Sequence, residues 1–192
     1  MPIKSEILPT VLIAIGANLP SDAGMPEKTL ISAVSGMAAL GLVPRAISRF
    51  YTTPCFPPGA GPDYVNAALR VETTMAANDV LAALHRIEAR FGRRRDTRWG
   101  MRTLDLDLIA WGDRVLPDRA TLRHWMTLPP GDQAQQAPHQ LILPHPRLQD
   151  RGFVLVPLAD IAPGWRHPVL GQTVQQMRNA LPDAEIRAIR AI

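Results

Sequence analysis

A strict two-residue alternation runs through Arg102-Thr-Leu104-Asp105-Leu106-Asp107-Leu108-Ile109. This is the pattern of a half-buried strand: Leu104, Leu106 and Leu108 share one face, and Asp105 and Asp107 lie side by side on the other. The chain must therefore build a sheet whose core face is set here and whose opposite face carries two adjacent carboxylates. Carboxylates that close repel unless something cationic sits with them. Either nearby arginines neutralise a solvated strand face, or the pair holds a hard cation such as Mg²⁺ together with substrate phosphates.

The rest of the chain supplies partners for that strand. Val11 to Ile15 is a continuous apolar run closed by Gly16-Ala-Asn18, the mark of a strand buried on both faces. Leu30, Val34, Met37 and Leu40 recur at helical spacing before Gly41, which predicts a helix over about 25–40. Val43 to Tyr51 reads as a strand, a Pro/Gly loop fills 54–62, and Tyr64 to Thr73 alternates, with Val65, Ala67, Leu69 and Val71 on one face and Tyr64 and Asn66 on the other. Asn78 or Asp79 is the expected cap of a second helix striped by Val80, Leu84, Ile87 and Phe91 and ended by Gly92. After the aspartate strand, Gly112-Asp113 predicts a hairpin into Val115. The order β-α-β-β-α-β gives an α+β class and a ferredoxin-like sandwich: an antiparallel sheet with helices on one face. Residues 117–140, centred on PPGDQAQQAPHQ, read as a long surface loop, Phe153 to Pro157 as an extra strand and Thr173 to Leu181 as a last helix. One domain over 1–192 is expected.

Charge narrows the chemistry. The chain has 21 basic and 17 acidic residues, and Lys4 and Lys28 are its only lysines. Seven arginines (86, 90, 93, 94, 95, 98 and 102) fall in one short stretch, five of them in the glycine-bounded Gly92-Arg-Arg-Arg-Asp-Thr-Arg-Trp-Gly-Met-Arg102. Guanidinium forks suit phosphate, and a loop of them beside paired aspartates is the equipment of phosphoryl transfer, which works by positioning and electrostatics. No Walker-type glycine-lysine loop is present, so a P-loop kinase is excluded. Glu88 lies next to the stripe of the second helix, near the arginine loop. His145 is held between Pro144 and Pro146, with Arg147 and Arg151 following. Tyr64 and Asn66 offer a ring and an amide on one strand face to a flat heterocycle. The single cysteine, Cys55, allows no disulfide framework and suits a reducing, cytoplasmic setting. The apolar start after Lys4 imitates a signal peptide, but Pro9 interrupts it, and no run reaches the length of a membrane span.

Five ordered blocks carry a resemblance: AIGANL at 14–19, FYTTPCF at 50–56, DYVNAAL at 63–69, RIEARFGRRRDTRWGMRTLDLDLI at 86–109 and LPHPRLQDRGFVLVPL at 143–158. Together they resemble the 6-hydroxymethyl-7,8-dihydropterin pyrophosphokinase family of folate biosynthesis, from about Leu12 to Pro163. The resemblance implies transfer of a pyrophosphoryl group from ATP to the pterin hydroxymethyl oxygen, with AMP released. It implies that Asp105 and Asp107 hold two Mg²⁺ ions, and that Arg93, Arg95 and Arg102 meet the phosphates. His145 and Arg151 would contact ATP phosphates, His85 and Glu88 would lie on the nucleotide side, and Arg98 and Trp99 would belong to a loop closing over the site. Tyr64 and Phe153 would sandwich the pterin, with Asn66 and the Thr53-Pro54-Cys55-Phe56 segment reading its hydrogen-bonding edge. A monomer acting on small molecules, with no nucleic-acid or membrane partner, follows.

The chain departs from the family pattern at several points. Ala17 stands where serine is common, Met101 where proline or another small residue is usual, His85 where glutamine is frequent and Cys55 where proline is. The arginine loop looks one residue short between Arg95 and Arg98, and 117–140 is longer than usual. The rival from another class is an RNA-binding module, since ferredoxin-like sheets with basic loops bind RNA by stacking bases on sheet aromatics. Tyr64 lacks a paired aromatic of that kind, and aromatics make up only 5% of the chain.

Overall fold

The computed structural model describes residues 8–55, 59, 61–92, 102–129, 131–132 and 136–192. Strand β1 (Thr10–Ala17) lies between β4 (Tyr64–Glu72) and β5 (Asp105–Trp111), antiparallel to both. Along β4 the register runs unbroken from Thr10↔Glu72 to Ala17↔Val65. The other side of β4 takes β2 (Val43–Ile47) and then β3 (Tyr51–Thr53), and the short β6 (Arg190–Ala191) adds to β3. The six-stranded sheet therefore runs β5-β1-β4-β3-β6, with β2 also on β4. Helices α1 (Pro26–Met37) and α2 (Ala77–Arg90) make the two crossovers. This is the expected β-α-β-β-α-β order, with the expected strand Val43 to Tyr51 divided into two.

Alternation sorts the side chains into two cores. Val11, Ile13, Ile15, Val65, Ala67, Leu69, Leu106 and Leu108 pack with Leu30, Ala33 and Met37 of α1 and Val80, Ala83, Leu84 and Ile87 of α2. On the opposite face Leu12, Ala68, Ile109 and Ala110 pack beneath Val154, Leu155 and Leu158 of α4 (Gly152–Ile161) and Val174 and Met177 of α5 (Val174–Asn179). Helices thus cover both faces, where the expectation put them on one. The continuous apolar run of β1 is the trace of that double burial.

The second layer corrects a further expectation, because Phe153 to Pro157 is helical, within α4. Its residues from Val154 to Leu158 are all buried, so neither period shows in the sequence, and a short apolar run of that kind reads equally well as a strand. The region 117–140 is also more than a loop. Asp118 accepts the Thr121 backbone N–H at 2.9 Å and caps α3 (Arg119–Thr127), which buries Leu122. This excursion is pinched shut by a bridge between Leu116 and Leu143. Gly112 turns with φ +62°, yet no strand forms at Val115. Helix α2 starts after Ala76, ahead of both expected caps. The last predicted helix is α5, held by a reciprocal cap between Thr173 and Gln176, and α6 (Asp183–Ala188) follows it. No helix among the described residues is long and apolar enough to cross a membrane.

Candidate active site

With Leu104, Leu106 and Leu108 committed to the α1/α2 core, the pleat turns Asp105 and Asp107 to the other face, where both stay partly exposed. Each carboxylate faces a guanidinium. Arg102 Nη1 pairs with Asp105 Oδ1, and Arg151 Nη1 lies 3.5 Å from Asp107 Oδ2. The aspartate side chains remain 24% and 33% exposed. Burial disfavours the Arg102 charge, but Asp105, then Asp107 and Tyr64, outweigh it and raise its pKa. Arg102 is therefore a fixed cation at the mouth of the site.

His145 joins this group through its backbone. Its N–H donates to Ile109 O of β5 at 2.8 Å, and its Nδ1 accepts the Arg147 N–H at 3.1 Å. Burial first, and the Arg151 and Arg147 charges next, lower its pKa from 6.5 to about 3. The ring is neutral at physiological pH. With Nδ1 accepting, its proton sits on Nε2, where it can be donated to an anionic oxygen.

Glu88 has a role that sequence reasoning did not assign. It is 1% exposed, and its Oε1 accepts the backbone N–H of Leu106 at 2.8 Å. Leu106 lies between the two aspartates, and among the described residues β5 is the edge of the sheet, with no strand beyond it. A buried carboxylate thus fixes the backbone on which both acidic side chains are mounted. The contact ties Glu88 to β5, and so to the backbone that carries the two carboxylates. His85 lies on α2 one turn before it, half-buried.

The other half of the site lies across β1. Asn66 Nδ2 donates to Thr53 Oγ1 at 2.7 Å, both residues being buried, and Tyr64 stands opposite Thr53 in the β3–β4 register. Cys55 Sγ donates to Gly61 O at 3.0 Å, and Pro54 is exposed. Phe153, at the start of α4, is 37% exposed, with the Arg151 guanidinium 5.5 Å from its ring centroid. Phe56, Arg93, Arg95, Arg98 and Trp99 lie outside the described residues.

Two residues not singled out as site residues join the halves. Gly16 is in register with Asn66 on one side and Asp105 on the other, and a Cβ there would sit 2.3 Å from Asn66 Oδ1. A glycine inside an apolar strand is a sign of close approach, and that was the available signal. Asn18 follows: its Oδ1 accepts the Arg102 N–H at 2.8 Å, and its Nδ2 donates to Pro62 O at 3.1 Å. It ties the arginine side to the Pro-rich loop.

Among the described residues no group of three or more His, Cys, Asp or Glu converges as a metal cage. Two adjacent, half-open carboxylates do match the donor set of Mg²⁺, which takes one or two protein carboxylates and completes its octahedron with water and substrate oxygens.

The family model described as 7,8-dihydro-6-hydroxymethylpterin-pyrophosphokinase matches residues 12–163. A protein of Synechocystis named 2-amino-4-hydroxy-6-hydroxymethyldihydropteridine pyrophosphokinase is 36% identical over 86% of this chain and 73% of its own length. One of the same name from Pseudomonas aeruginosa is 36% identical over 82% and 83%, and one from Methylorubrum extorquens 31% over 92% and 96%. Among solved structures, the Plasmodium falciparum HPPK-DHPS protein superposes with a TM-score of 0.61 at 12% identity, over 89% of this chain and 43% of the other, a likeness of fold. The chain spans under half the length of that protein. By its sequence, and with this fold and this pair of aspartates, the chain belongs to the 7,8-dihydro-6-hydroxymethylpterin-pyrophosphokinase family.

Proposed function

We propose that Asp105, Asp107, Arg102, Arg151 and His145 bind the ATP phosphates with Mg²⁺, and that Thr53, Asn66, Tyr64 and Phe153 seat the pterin for the family's reaction. That reaction is pyrophosphoryl transfer from ATP to 6-hydroxymethyl-7,8-dihydropterin in folate synthesis. The observation that carries the proposal is the placement of Gly16. One strand residue separates the carboxylate–guanidinium group from the buried Asn66–Thr53 hydrogen bond, so donor and acceptor substrates fit side by side.

In the reaction the hydroxymethyl oxygen forms a bond to the β-phosphorus of ATP, the bond from that phosphorus to the α–β bridging oxygen breaks, and AMP leaves with a proton released. Two Mg²⁺ ions held by Asp105 and Asp107 would neutralise polyphosphate charge and leave phosphorus more open to attack. Arg102 and Arg151 place permanent charge beside the same oxygens, and neutral His145 offers an Nε2–H donor. The buried pair Asn66 and Thr53 orients the heterocycle's polar edge, and the open ring of Phe153 stacks on its face. Arg93, Arg95, Arg98 and Trp99 would close over the phosphates, and His85 would flank the nucleotide. The buried Cys55 thiol suits a reducing cytoplasm, and a monomer suffices because one chain carries both halves of the site.

The RNA-binding alternative is disfavoured by the second helical layer. Base-stacking modules need an open sheet face, and here α4 and α5 cover it. The test is AMP release by purified protein given ATP and Mg²⁺, with the pterin omitted and then restored. Pterin-dependent AMP is the expected result; no AMP with both substrates present refutes the proposal.

A further inference from the structure

The family match ends at residue 163, yet the last ten residues of the chain reach back to both walls of the site. Glu185 Oε1, on α6, accepts the Gly152 N–H at 2.7 Å. Gly152 is the first residue of α4 and separates Arg151, which faces Asp107, from Phe153, whose ring is open. The seat is tight. A Cβ on Gly152 would lie 2.6 Å from Glu185 Oε1 and 3.0 Å from Ile189 Cδ1. Ile186 anchors the same turn by packing against the second core. Four residues further on, β6 pairs with β3 at Tyr51↔Ala191 and Thr52↔Arg190, and the Ile192 N–H donates to Phe50 O at 3.0 Å. The next residue of β3 is Thr53, the partner of Asn66.

We propose that residues 183–192 are a brace for the substrate site, in which Glu185 is a positioning residue that sets the Arg151-Gly152-Phe153 backbone. A carboxylate on the first amide of a helix both satisfies an orphan donor and complements the helix dipole. Here it also fixes the direction in which a phosphate-facing arginine and a ring-stacking phenylalanine leave the chain. Substrates never touch Glu185; it acts through Gly152. The proposal rests on the function proposed above, since it needs Arg151 and Phe153 to serve ATP and pterin.

The experiment compares Glu185→Ala, Glu185→Gln and Gly152→Ala, alone and with Glu185→Ala combined with Gly152→Ala, in the full chain. Arg187, two residues beyond Glu185 with its side chain 73% exposed, serves as the control position: Arg187→Ala should leave kcat and both KM values within twofold of wild type. Glu185→Ala is expected to raise the pterin KM and lower kcat, together roughly tenfold in kcat/KM. Glu185→Gln retains a carbonyl acceptor and should restore most of the loss. Gly152→Ala drives a methyl group into Glu185 and against Ile189, so it should impair turnover alone and cost less than additively once Glu185 is alanine. If wild type releases AMP and Glu185→Ala leaves kcat and both KM values within twofold, the brace is refuted while the assigned reaction stands. Additive losses from the two alanines refute the direct contact. If Glu185→Ala does not fold, Gly152→Ala against Glu185→Gln decides: equal kinetics in wild type and Gly152→Ala overturn the proposal. If wild type itself releases no AMP, the functional proposal fails first and the brace falls with it.

Discussion

Gly16→Ala is a one-methyl change at the junction of the two half-sites, and the structure sets its consequences. The new Cβ would lie 2.3 Å from Asn66 Oδ1, well inside the closest approach that real Cβ atoms make. One of the two must move by about 1 Å to restore contact distance. β1 is paired on both sides at this residue, to Asn66 and to Asp105, so the backbone is held and the Asn66 side chain is what gives way. Its 2.7 Å bond to Thr53 then breaks inside a buried site, a cost of about 1–3 kcal/mol in stability. A 1 Å misplacement of a substrate-orienting group costs on the order of 10²-fold in turnover. The expected signature is a kcat/KM for pterin lowered roughly 10- to 100-fold at saturating ATP, with the KM for ATP changed much less. AMP release at varied pterin concentration, alongside a urea melt, measures both effects. Pterin kcat and KM within twofold of wild type, in a protein that melts normally, would refute the placement of Asn66 at the pterin edge.

Asp105→Asn and Asp107→Asn should each change stability by no more than about 1 kcal/mol, because partly exposed ion pairs contribute little, while AMP release falls at least 100-fold; a thermal melt and a Mg²⁺ titration of turnover separate the two effects. Glu88→Ala strips the acceptor from the buried Leu106 amide and should lower the unfolding free energy by about 1–3 kcal/mol in urea, with loss of turnover; an unchanged melt would mean that β5 does not need this anchor. His167 is fully buried, its Nδ1 accepts the N–H groups of Val169 and Leu170, both at 3.2 Å, and burial lowers its pKa from 6.5 to about 4. The unfolded chain therefore binds this proton more readily than the native one between those values, so its contribution is present above pH 6.5 and is lost as pH falls towards 4, roughly 2 kcal/mol between pH 7 and pH 5. His167→Asn keeps an acceptor without titrating, and in urea melts at the two pH values it should flatten that part of the slope; an unaltered slope would refute it.

What could be read from the sequence was what local period determines. Alternation at 104–108 placed three leucines and two aspartates on the correct faces without any knowledge of neighbours, and 3.6-residue spacing found α1 and α2. Elements that are buried all round escape such reasoning. In α4 no polar side exists to display a helical period, so Phe153 to Pro157 reads as strand, and α5, although its helix is legible, gives no sign that it belongs to a second layer. Helix α3 was hidden for the opposite reason: it buries Leu122 and little else, and a low-complexity tract follows it. Contacts through space were the other blind spot. Glu88 was visible as a carboxylate beside an apolar stripe, but its bond to Leu106 exists only because α2 lies along the edge strand β5. Gly16 and Asn18 sat inside a recognised block with no role, since their partners Asn66, Arg102 and Pro62 are distant in the chain.

The arginine surplus takes on a specific meaning once the aspartates are placed. Arg102 and Arg151 each face one member of the Asp105–Asp107 pair, so the charges that a polyphosphate needs are already assembled and already neutralised. Pairs that keep a fifth to a third of each side chain in solvent are worth little, on the order of 1 kcal/mol each, so handing both guanidiniums to phosphate oxygens, and both carboxylates to a divalent cation, costs the fold little. A deeply buried arrangement would hold its ions too tightly for that exchange. The buried carboxyl in this region is Glu88, and it serves the backbone: it keeps the strand in place while the partly exposed charges above it change partners. The division explains why the same short strand can carry leucines for stability and aspartates for chemistry. Substitutions on its two faces should accordingly fail in different assays, the leucines in a melt and the aspartates in turnover.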